Sequence, residues 1–473
     1  MTLKGNISRV GVLILLSLVF SAFYAGYWGV IAASDLTGNP EYNRYRLIEA
    51  ENRDLRGRFL DRHGRPLAWS KRTPDGQVRE YADPSLGHVV GYHSHLYGDS
   101  NLEESLAKYL NASVGLSPQY QLQSKLLAQP KQGADVTLTI DESVQKAAEA
   151  ALGQSRGAVV ALNPRSGEVL ALVSHPGYNP TTLDDDWETL TQDEGAPLLN
   201  RATQGMYATG STFKVVTLAA LLDAGVVRNE DQVECQREIL VEGYRIVSEN
   251  QPAELTQTDV AHAFAYSCNT AFANLGLRLG GPRLEQAARQ FGFEQVPPFD
   301  LPTSASYVYV TPDFLLSQPA LAATAFGQGQ LQASPLQMAL VAAAIANDGP
   351  IARPFLVSQI SSVEGAVLYQ SEPKLWLQAT SPETARQVKE DMVLAVREGW
   401  SAKAAIDGVT VAGKTGTAEI GGGRDPHAWF IGFAPAENPR VAVAVIIENG
   451  ASGPAQAAPL AKQVMEAALA SPD

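Results

Sequence analysis

Cysteine, basic clusters and long apolar runs are all scarce in this chain. Only two cysteines, Cys235 and Cys268, occur among 473 residues, and no Cys-x-x-Cys spacing is present. A structural zinc site is therefore excluded as a reading. A disulfide between the two and a pair of buried free thiols both remain open, since pairing cannot be read from spacing. Lys and Arg number 36 against 50 Asp and Glu, giving a net charge of −14. With no basic run and no phosphate-loop motif, a nucleic-acid surface is not expected. There is no Gly-x-Ser-x-Gly, and none of the seven histidines stands in a triad context, so a Ser–His–Asp hydrolase has no support. His93 and His95 flank a single serine, and Asp184, Asp185 and Asp186 lack metal-loop spacing. Both groups read as ordinary surface features, the aspartates as a solvated loop. Neither a metal nor any other cofactor is expected.

One long apolar run is present, and no second comparable run follows it. From Val10 to Ala33 the chain carries no charge, long enough to cross a bilayer as a helix. Lys4, Arg9 and the terminal amine precede it and Asp35 follows, which favours an inside N-terminus. Tyr24, Tyr27 and Trp28 lie near the far end, where aromatic rings suit an interface. Ala32, Ala33 and Ser34 offer a cleavage site for a secretion signal, but the run exceeds a signal core of roughly 7–15 residues. An uncleaved, single-pass membrane anchor with everything after it outside the cytoplasm is the expectation.

After the anchor a charged juxtamembrane stretch from Asn43 leads to "RGRFL" and "RPLAW", joined at His63-Gly64 as a hairpin. A strand-like "HVVGY", a helix-like "LEESLAKYL" and a looser Gln-rich stretch complete a small mixed module. Asp141 caps a helix ending near Gly153, and "GAVVALNPRSGEVLALVS" reads as a second hairpin. The middle is helical, including a run capped by Ser334 with Pro335 at its first position. Strands return at "GVTVAGKTGTAEI", "HAWFIGFAP" and "RVAVAVIIEN", and a C-terminal helix follows. Strands at both ends with helices between predict an α+β fold, one antiparallel sheet covered by helices. The expected division is 1–34 for tail and anchor, 35–150 for the non-catalytic module and linker, and 151–473 for the catalytic domain.

"MYATGSTFKVVTLAALLDAG" sets Ser211 and Lys214 at the mouth of an apolar helix. Three other Ser-x-x-Lys tetrads, from Ser105, Ser143 and Ser371, lie in a polar helix, behind a better cap, and across a proline. At Ser211 alone the spacing puts a lysine one turn from a serine on one helix face, where the N-terminus favours anionic intermediates. Lysine acts as a base only when burial or a neighbouring cation lowers its pKa, and Lys414 in "KTGT" is the candidate cation. Gly416 reads as a strand bulge or tight contact, or as a gap that lets an extended peptide lie along the strand. Thr415 and Thr417 offer hydroxyls for a carboxylate. "SCN", Ser267 to Asn269, opens a helix and by itself is an N-cap. The ordered set Ser-x-x-Lys, Ser-x-Asn, Lys-Thr-Gly marks serine β-lactamases and penicillin-binding proteins.

With those motifs, and with "GAVVALNPRSGEVLALVSHPGYNP", "NRATQGMYATGSTFKVVT" and "GQGQLQASPLQMA" besides, the chain resembles the class B penicillin-binding proteins. The resemblance covers nearly everything after the anchor. It implies a pedestal-type module before a transpeptidase domain built on a five-stranded antiparallel sheet. No glycosyltransferase-like segment stands before the module, as the bifunctional class A proteins would require. The implied roles are Ser211 as nucleophile, Lys214 as its base, Ser267 with Lys414 as proton relay, and Asn269 holding the substrate amide. Thr415, Gly416 and Thr417 would line the carboxyl side, with the N–H groups of Ser211 and Thr417 as oxyanion hole. The implied substrates are stem peptides ending in D-Ala-D-Ala, with β-lactams as acylating inhibitors and a polytopic glycan-strand polymerase as partner. A membrane-tethered β-lactamase, a β-lactam sensor and a scaffold are the competing readings. Two departures stand out: Thr209 replaces the usual proline, which is expected to loosen the turn before Ser211, and Cys268 fills the middle of the second motif.

Overall fold

The computed structural model describes residues 3–32, 54–73, 76–248 and 255–472. Leu3–Gly26 is a helix that widens into a π-turn over Tyr27–Ile31. Ser8–Gly29 is long and apolar enough to span a membrane, and none of it is buried by the rest of the chain. The boundary at residue 34, the cleavage positions Ala33 and Ser34, and the juxtamembrane stretch from Asn43 to Arg53 lie outside the described residues.

The central sheet has five antiparallel strands in the order Ala412–Ala418, His427–Ala434, Val441–Ile447, Gly157–Leu162, Val169–His175. Strands from the two ends of this part of the chain pair directly, Val445 opposite Val159 and Ile447 opposite Gly157. Each central strand is covered on both faces, which is why it reads as an apolar run rather than an alternation. Alternate residues still divide cleanly. Val159, Ala161, Val443 and Val445 pack under Glu142–Leu152 and the C-terminal helix Ala458–Ala470. Val160, Leu162, Ala444 and Ile446 face the helical core. At the centre of that core lies Pro335–Ala346, every residue of it buried, capped as expected by Ser334 Oγ accepting from Gln337 N–H.

The N-terminal module carries a six-stranded mixed sheet. Phe59–Leu60 turns back on Pro66–Thr73 as the His63-Gly64 turn predicts, and runs parallel to Asp135–Leu138. Beyond Asp135–Leu138 the sheet is completed by the hairpin Val357–Ser361 and Val367–Gln370, from more than two hundred residues later. Glu103, fully buried, holds the module's interior by accepting from Arg56 Nε and Arg79 Nε, each at 2.7 Å.

Three local expectations change. "HVVGY" is not a strand: Asp83 caps a 3-10 turn over Pro84–His88, and proline at its first position commits the segment to that turn. The Gln-rich stretch contains a helix, Pro118–Leu126, capped by Ser117. Asp184 to Asp186 form the first turn of a helix, Leu183–Gln192, where acidic side chains complement the helix dipole.

Candidate active site

Ser211 sits in a 3-10 turn, Gly210–Phe213, that runs straight into the helix Lys214–Asp223. The approach to it is pinned at several points. Tyr207 exchanges backbone hydrogen bonds with Ala333, and its hydroxyl donates to Glu448 Oε1 at 2.8 Å. Arg201, nearly fully buried, donates to the same oxygen. Trp429 Nε1 donates to Ala208 O at 2.9 Å, and Gly210 N–H to Gly327 O. Thr209 is fully buried, and Thr212 Oγ1 donates to its carbonyl at 2.8 Å. The turn is thus held without the proline.

Lys214 Nζ lies 2.9 Å from Ser211 Oγ, as the one-turn spacing predicts. It also reaches Ser267 O at 2.8 Å, Asn269 Oδ1 at 2.7 Å and Ser267 Oγ at 3.1 Å. The amide of Asn269 is oriented by Nδ2 donating to Val247 O, so its oxygen must face the lysine. Two of these neighbours are pure acceptors. A neutral Lys214 amine donates its two protons to them and turns its lone pair toward the Ser211 hydroxyl. Complete burial, then the charge of Lys414, holds Lys214 well below its ordinary pKa. Lys414 is itself fully buried, which lowers it to about 7. Its ammonium group donates to Ser267 Oγ and Thr415 O, each at 3.0 Å.

Ser267 is not an N-cap. Its φ is +60°, and it follows the short helix Val260–Ala265. Ser267 N–H donates to Phe264 O and Cys268 N–H to Ala263 O, the pattern of a Schellman cap. That left-handed position usually falls to glycine, and placing a serine there costs about 1 kcal/mol. In exchange, both Ser267 oxygens face Lys214. Cys268, next in the chain, is bonded to Cys235 with a Cα–Cα separation of 5.9 Å. The two cysteines are therefore paired, and the bond staples the Ser267 turn to the strand Gln232–Glu234.

Among the described residues Ala412–Ala418 is an edge strand, paired with His427–Ala434 alone. Thr415 N–H leaves the sheet to donate to Ser401 Oγ at 3.0 Å. By the period of two, Thr417 N–H points to the same open edge, where Gly210 and Ser211 lie. A Cβ at Gly416 would meet Thr209 O at 2.8 Å and Thr212 Cγ2 at 3.0 Å. The glycine therefore lets the strand pack against the turn that carries Ser211, the tight contact of the two sequence readings. Thr417 is half-buried and its Oγ1 accepts from Gly453 N–H at 3.4 Å, while Thr415 is 3% exposed.

These groups open into one cleft of about 420 Å³. Ser211, Ser267 and Asn269 lie at its base and Thr415 to Thr417 along one side. Tyr244 to Ser248, Gln328 and Trp400 form further walls. The sequence reading missed Ser401, Trp400, Glu448 and the hairpin Glu238–Val241/Tyr244–Val247. Only the apolar alternation of the hairpin left any local signal.

Residues 157–466 match the penicillin-binding protein transpeptidase domain, and residues 56–136 match the penicillin-binding protein A dimerisation domain. The chain belongs to the class B penicillin-binding proteins. Among its relatives, the peptidoglycan D,D-transpeptidase PbpA of Mycolicibacterium smegmatis is 36% identical over 495 residues, spanning 99% of each chain. The peptidoglycan D,D-transpeptidase MrdA of Acinetobacter baumannii is 30% identical, over 83% of this chain and 63% of its own. In structure, the ceftriaxone acyl-enzyme complex of penicillin-binding protein A from M. tuberculosis superposes with a TM-score of 0.83 at 36% identity. It covers 89% of this chain and 99% of that one.

Proposed function

We infer that the protein is a peptidoglycan D,D-transpeptidase that cross-links stem peptides and is acylated by β-lactams. The observation that carries this reading is the shared contact of the fully buried Lys214 Nζ with Ser211 Oγ, Ser267 O and Asn269 Oδ1 at the base of the cleft. Ser211 Oγ attacks the carbonyl between the two terminal D-alanines while the Lys214 lone pair takes its proton. The developing oxyanion is held by the N–H groups of Ser211 and Thr417, and the loss of one such donor costs roughly 10²–10³ in rate. The C–N bond then breaks. Ser267, bonded to both lysines, passes a proton to the departing D-alanine amine. Asn269 fixes Lys214 and borders the donor amide, and Thr415 and Thr417 flank the site of the terminal carboxylate, with Gly416 between them. An amine from a neighbouring stem attacks the acyl-enzyme along the same path in reverse, forming the cross-link and freeing Ser211. A β-lactam acylates Ser211 identically, but its leaving amine stays tethered.

The helix over Ser8–Gly29 supports a single-pass cell-membrane anchor, and Lys4 and Arg9 before it favour a cytoplasmic N-terminus and an extracytoplasmic catalytic domain. The division into anchor (1–34), N-terminal module (35–150) and transpeptidase domain (151–473) is retained for the chain. The hairpin Val357–Gln370 adds to the module's sheet from within the third segment. A polytopic glycan-strand polymerase is the proposed membrane partner.

The test is release of D-alanine together with formation of a cross-linked dimer from a pentapeptide donor and an amine acceptor. Both are expected from the parent and neither from Ser211→Ala. Hydrolysis without any dimer, whatever the acceptor concentration, contradicts a transpeptidase.

A further inference from the structure

Asp391 lies on the helix Pro382–Arg397, 3% exposed, and accepts one hydrogen bond, from Asn229 Nδ2 to its Oδ1 at 3.0 Å. Its other oxygen, Oδ2, is buried without a hydrogen-bond partner among the described residues, and so is Asn229 Oδ1. Two unpaired buried oxygens are unfavourable, and a buried carboxylate with one bond is more so. The two orphans belong to the same two groups that already share a bond. Amide and carboxyl are both planar, each with two polar atoms side by side. One proton on Asp391 Oδ2, donated to Asn229 Oδ1, closes a ring of two hydrogen bonds and satisfies both orphans.

The surrounding charges favour that proton. Burial first, then the negative charges of Glu390 on the same helix and Asp259 at the cap of Val260–Ala265, push the Asp391 carboxyl up to about 8. Charged groups on the other elements packed against this helix are engaged elsewhere. His262 pairs with Asp259, and Lys214 and Lys414 both reach Ser267. Asp223 accepts from Thr380 and Ser381, while Lys403 and the turn residues Arg228, Glu230 and Asp231 are exposed.

The pair holds the short helix that delivers Ser267. Asn229 O accepts from Ala261 N–H and Asp231 O from Val260 N–H, so the turn gripped by Asp391 pins the first residues of Val260–Ala265. At the other end, Ala265 O accepts from Trp400 N–H and Tyr266 O from Trp400 Nε1. Trp400 lies just past the end of Pro382–Arg397, so one long helix clamps both ends of the short one. Ser267 comes next after Tyr266, and Ser401, beside Trp400, accepts from Thr415 N–H.

We propose that Asp391 is a positioning residue that works as a neutral acid, donating its proton to Asn229 in a two-bond ring that fixes Val260–Ala265 and with it Ser267. Asp391 touches no reacting atom. Ionisation releases the Oδ2 proton to water, sets two oxygens against each other and loosens the clamp on the first turn. For acylation this rests on the transpeptidase reading above. A carboxyl raised from 3.8 to about 8 by folding keeps its proton where the unfolded chain has lost it. Its contribution to stability is complete below about pH 4 and is lost as the pH rises through 8.

The experiment compares the full-length protein in detergent with Asp391→Asn, whose amide can close the same ring with no proton to lose. In guanidinium titrations the unfolding constant of the parent is expected to rise about a hundredfold relative to the variant's between pH 6 and pH 9. The titrations of Lys214 and Lys414 are common to both proteins and cancel in that ratio. Infrared difference spectra at pH 6 should show one protonated carboxyl carbonyl in the parent that the variant lacks. Over the same pH range, benzylpenicillin acylation of the parent should fall behind that of the variant by about tenfold, as for a shift of roughly half an ångström at Ser267. A constant stability ratio, or no such carbonyl band, overturns the neutral acid. A stability shift with parallel acylation profiles overturns the positioning role. No penicillin adduct on either protein would overturn the transpeptidase reading, and the unfolding and infrared results would still decide the state of Asp391.

Discussion

Gly416→Ala adds one methyl group at the contact between the edge strand and the turn that carries Ser211. No backbone strain accompanies it, because the φ of Gly416 lies outside the left-handed region. The new Cβ would sit 2.8 Å from Thr209 O, 3.0 Å from Thr212 Cγ2 and 3.2 Å from Thr212 N. Comfortable separations are about 3.5 Å, so strand and turn must part by roughly half an ångström or more. Thr209 cannot yield alone, since its carbonyl is held by Thr212 Oγ1 and it leads directly into Gly210, whose N–H is tied to Gly327 O. A misplacement of about 1 Å costs on the order of 10²-fold in rate, so half that costs roughly tenfold. Overpacking adds about 1–3 kcal/mol of destabilisation. The assay is the second-order rate of acylation by benzylpenicillin, with kcat/KM for a peptide donor beside it. Both are expected to fall about tenfold together, because the displaced atom is Ser211 Oγ. Thr212→Ser in the same protein removes the Cγ2 contact, keeps the hydrogen bond to Thr209 O, and should recover part of the loss. Acylation of Gly416→Ala within about twofold of the parent would refute the reasoning. So would a loss confined to peptide donors, which would instead mark the glycine as a gap for the substrate backbone.

Removing the Lys414 charge, as in Lys414→Met, takes away the second cause of the low Lys214 pKa, so the acid limb of the acylation pH profile should move to higher pH. The same variant tests a stability linkage. Lys414 titrates at about 7 when folded against an ordinary 10.5. The unfolded chain binds the extra proton across that window, and stability must rise with pH through it. Between pH 7 and 9 this amounts to about 2 kcal/mol, with Lys214 adding in the same direction, and Lys414→Met should lose its part in denaturant titrations at the two pH values. Replacing both cysteines by serine opens a loop closed across 33 residues. It should cost about 4 kcal/mol by the chain-entropy account, seen as a lower melting temperature. Acylation should slow as well, because Cys268 adjoins both Ser267 and Asn269. Glu103→Ala strands two buried arginines and should cost about 3–5 kcal/mol in unfolding while leaving a penicillin adduct on Ser211.

The chemistry of this chain was more legible than its architecture, for physical reasons. Ser211 and Lys214 are one helical turn apart, so local spacing alone puts them together. Lys414 and Ser267 are joined only by the tertiary fold, yet each sits in a short motif whose residue types have little other use in combination. The central sheet was also readable, because its strands are buried on both faces and announce themselves as apolar runs flanked by turns. The hairpin Val357–Gln370 gave no such notice. Its pairing with Asp135–Leu138 spans more than two hundred residues, and nothing local distinguishes it from a surface hairpin of the catalytic part. Taken by itself, Ser267 read as a cap for the helix that follows, since serine before a helix ordinarily is one. The preceding helix claims it instead, in a left-handed position that sequence preference assigns to glycine. Glu448 and Arg201 were invisible for the opposite reason: charged residues read as solvent-facing until a partner is seen, and each buries the other beside Tyr207.

The central claim is that Ser211, activated by a neutral Lys214, is the acylated nucleophile. Intact-protein mass after exposure to benzylpenicillin, followed over hours and mapped to a peptide, tests it most directly. The account predicts a long-lived adduct of one drug mass on the peptide containing Ser211, absent from Ser211→Ala and formed far more slowly in Lys214→Ala. An adduct at another serine, or none while the drug is hydrolysed, would contradict it.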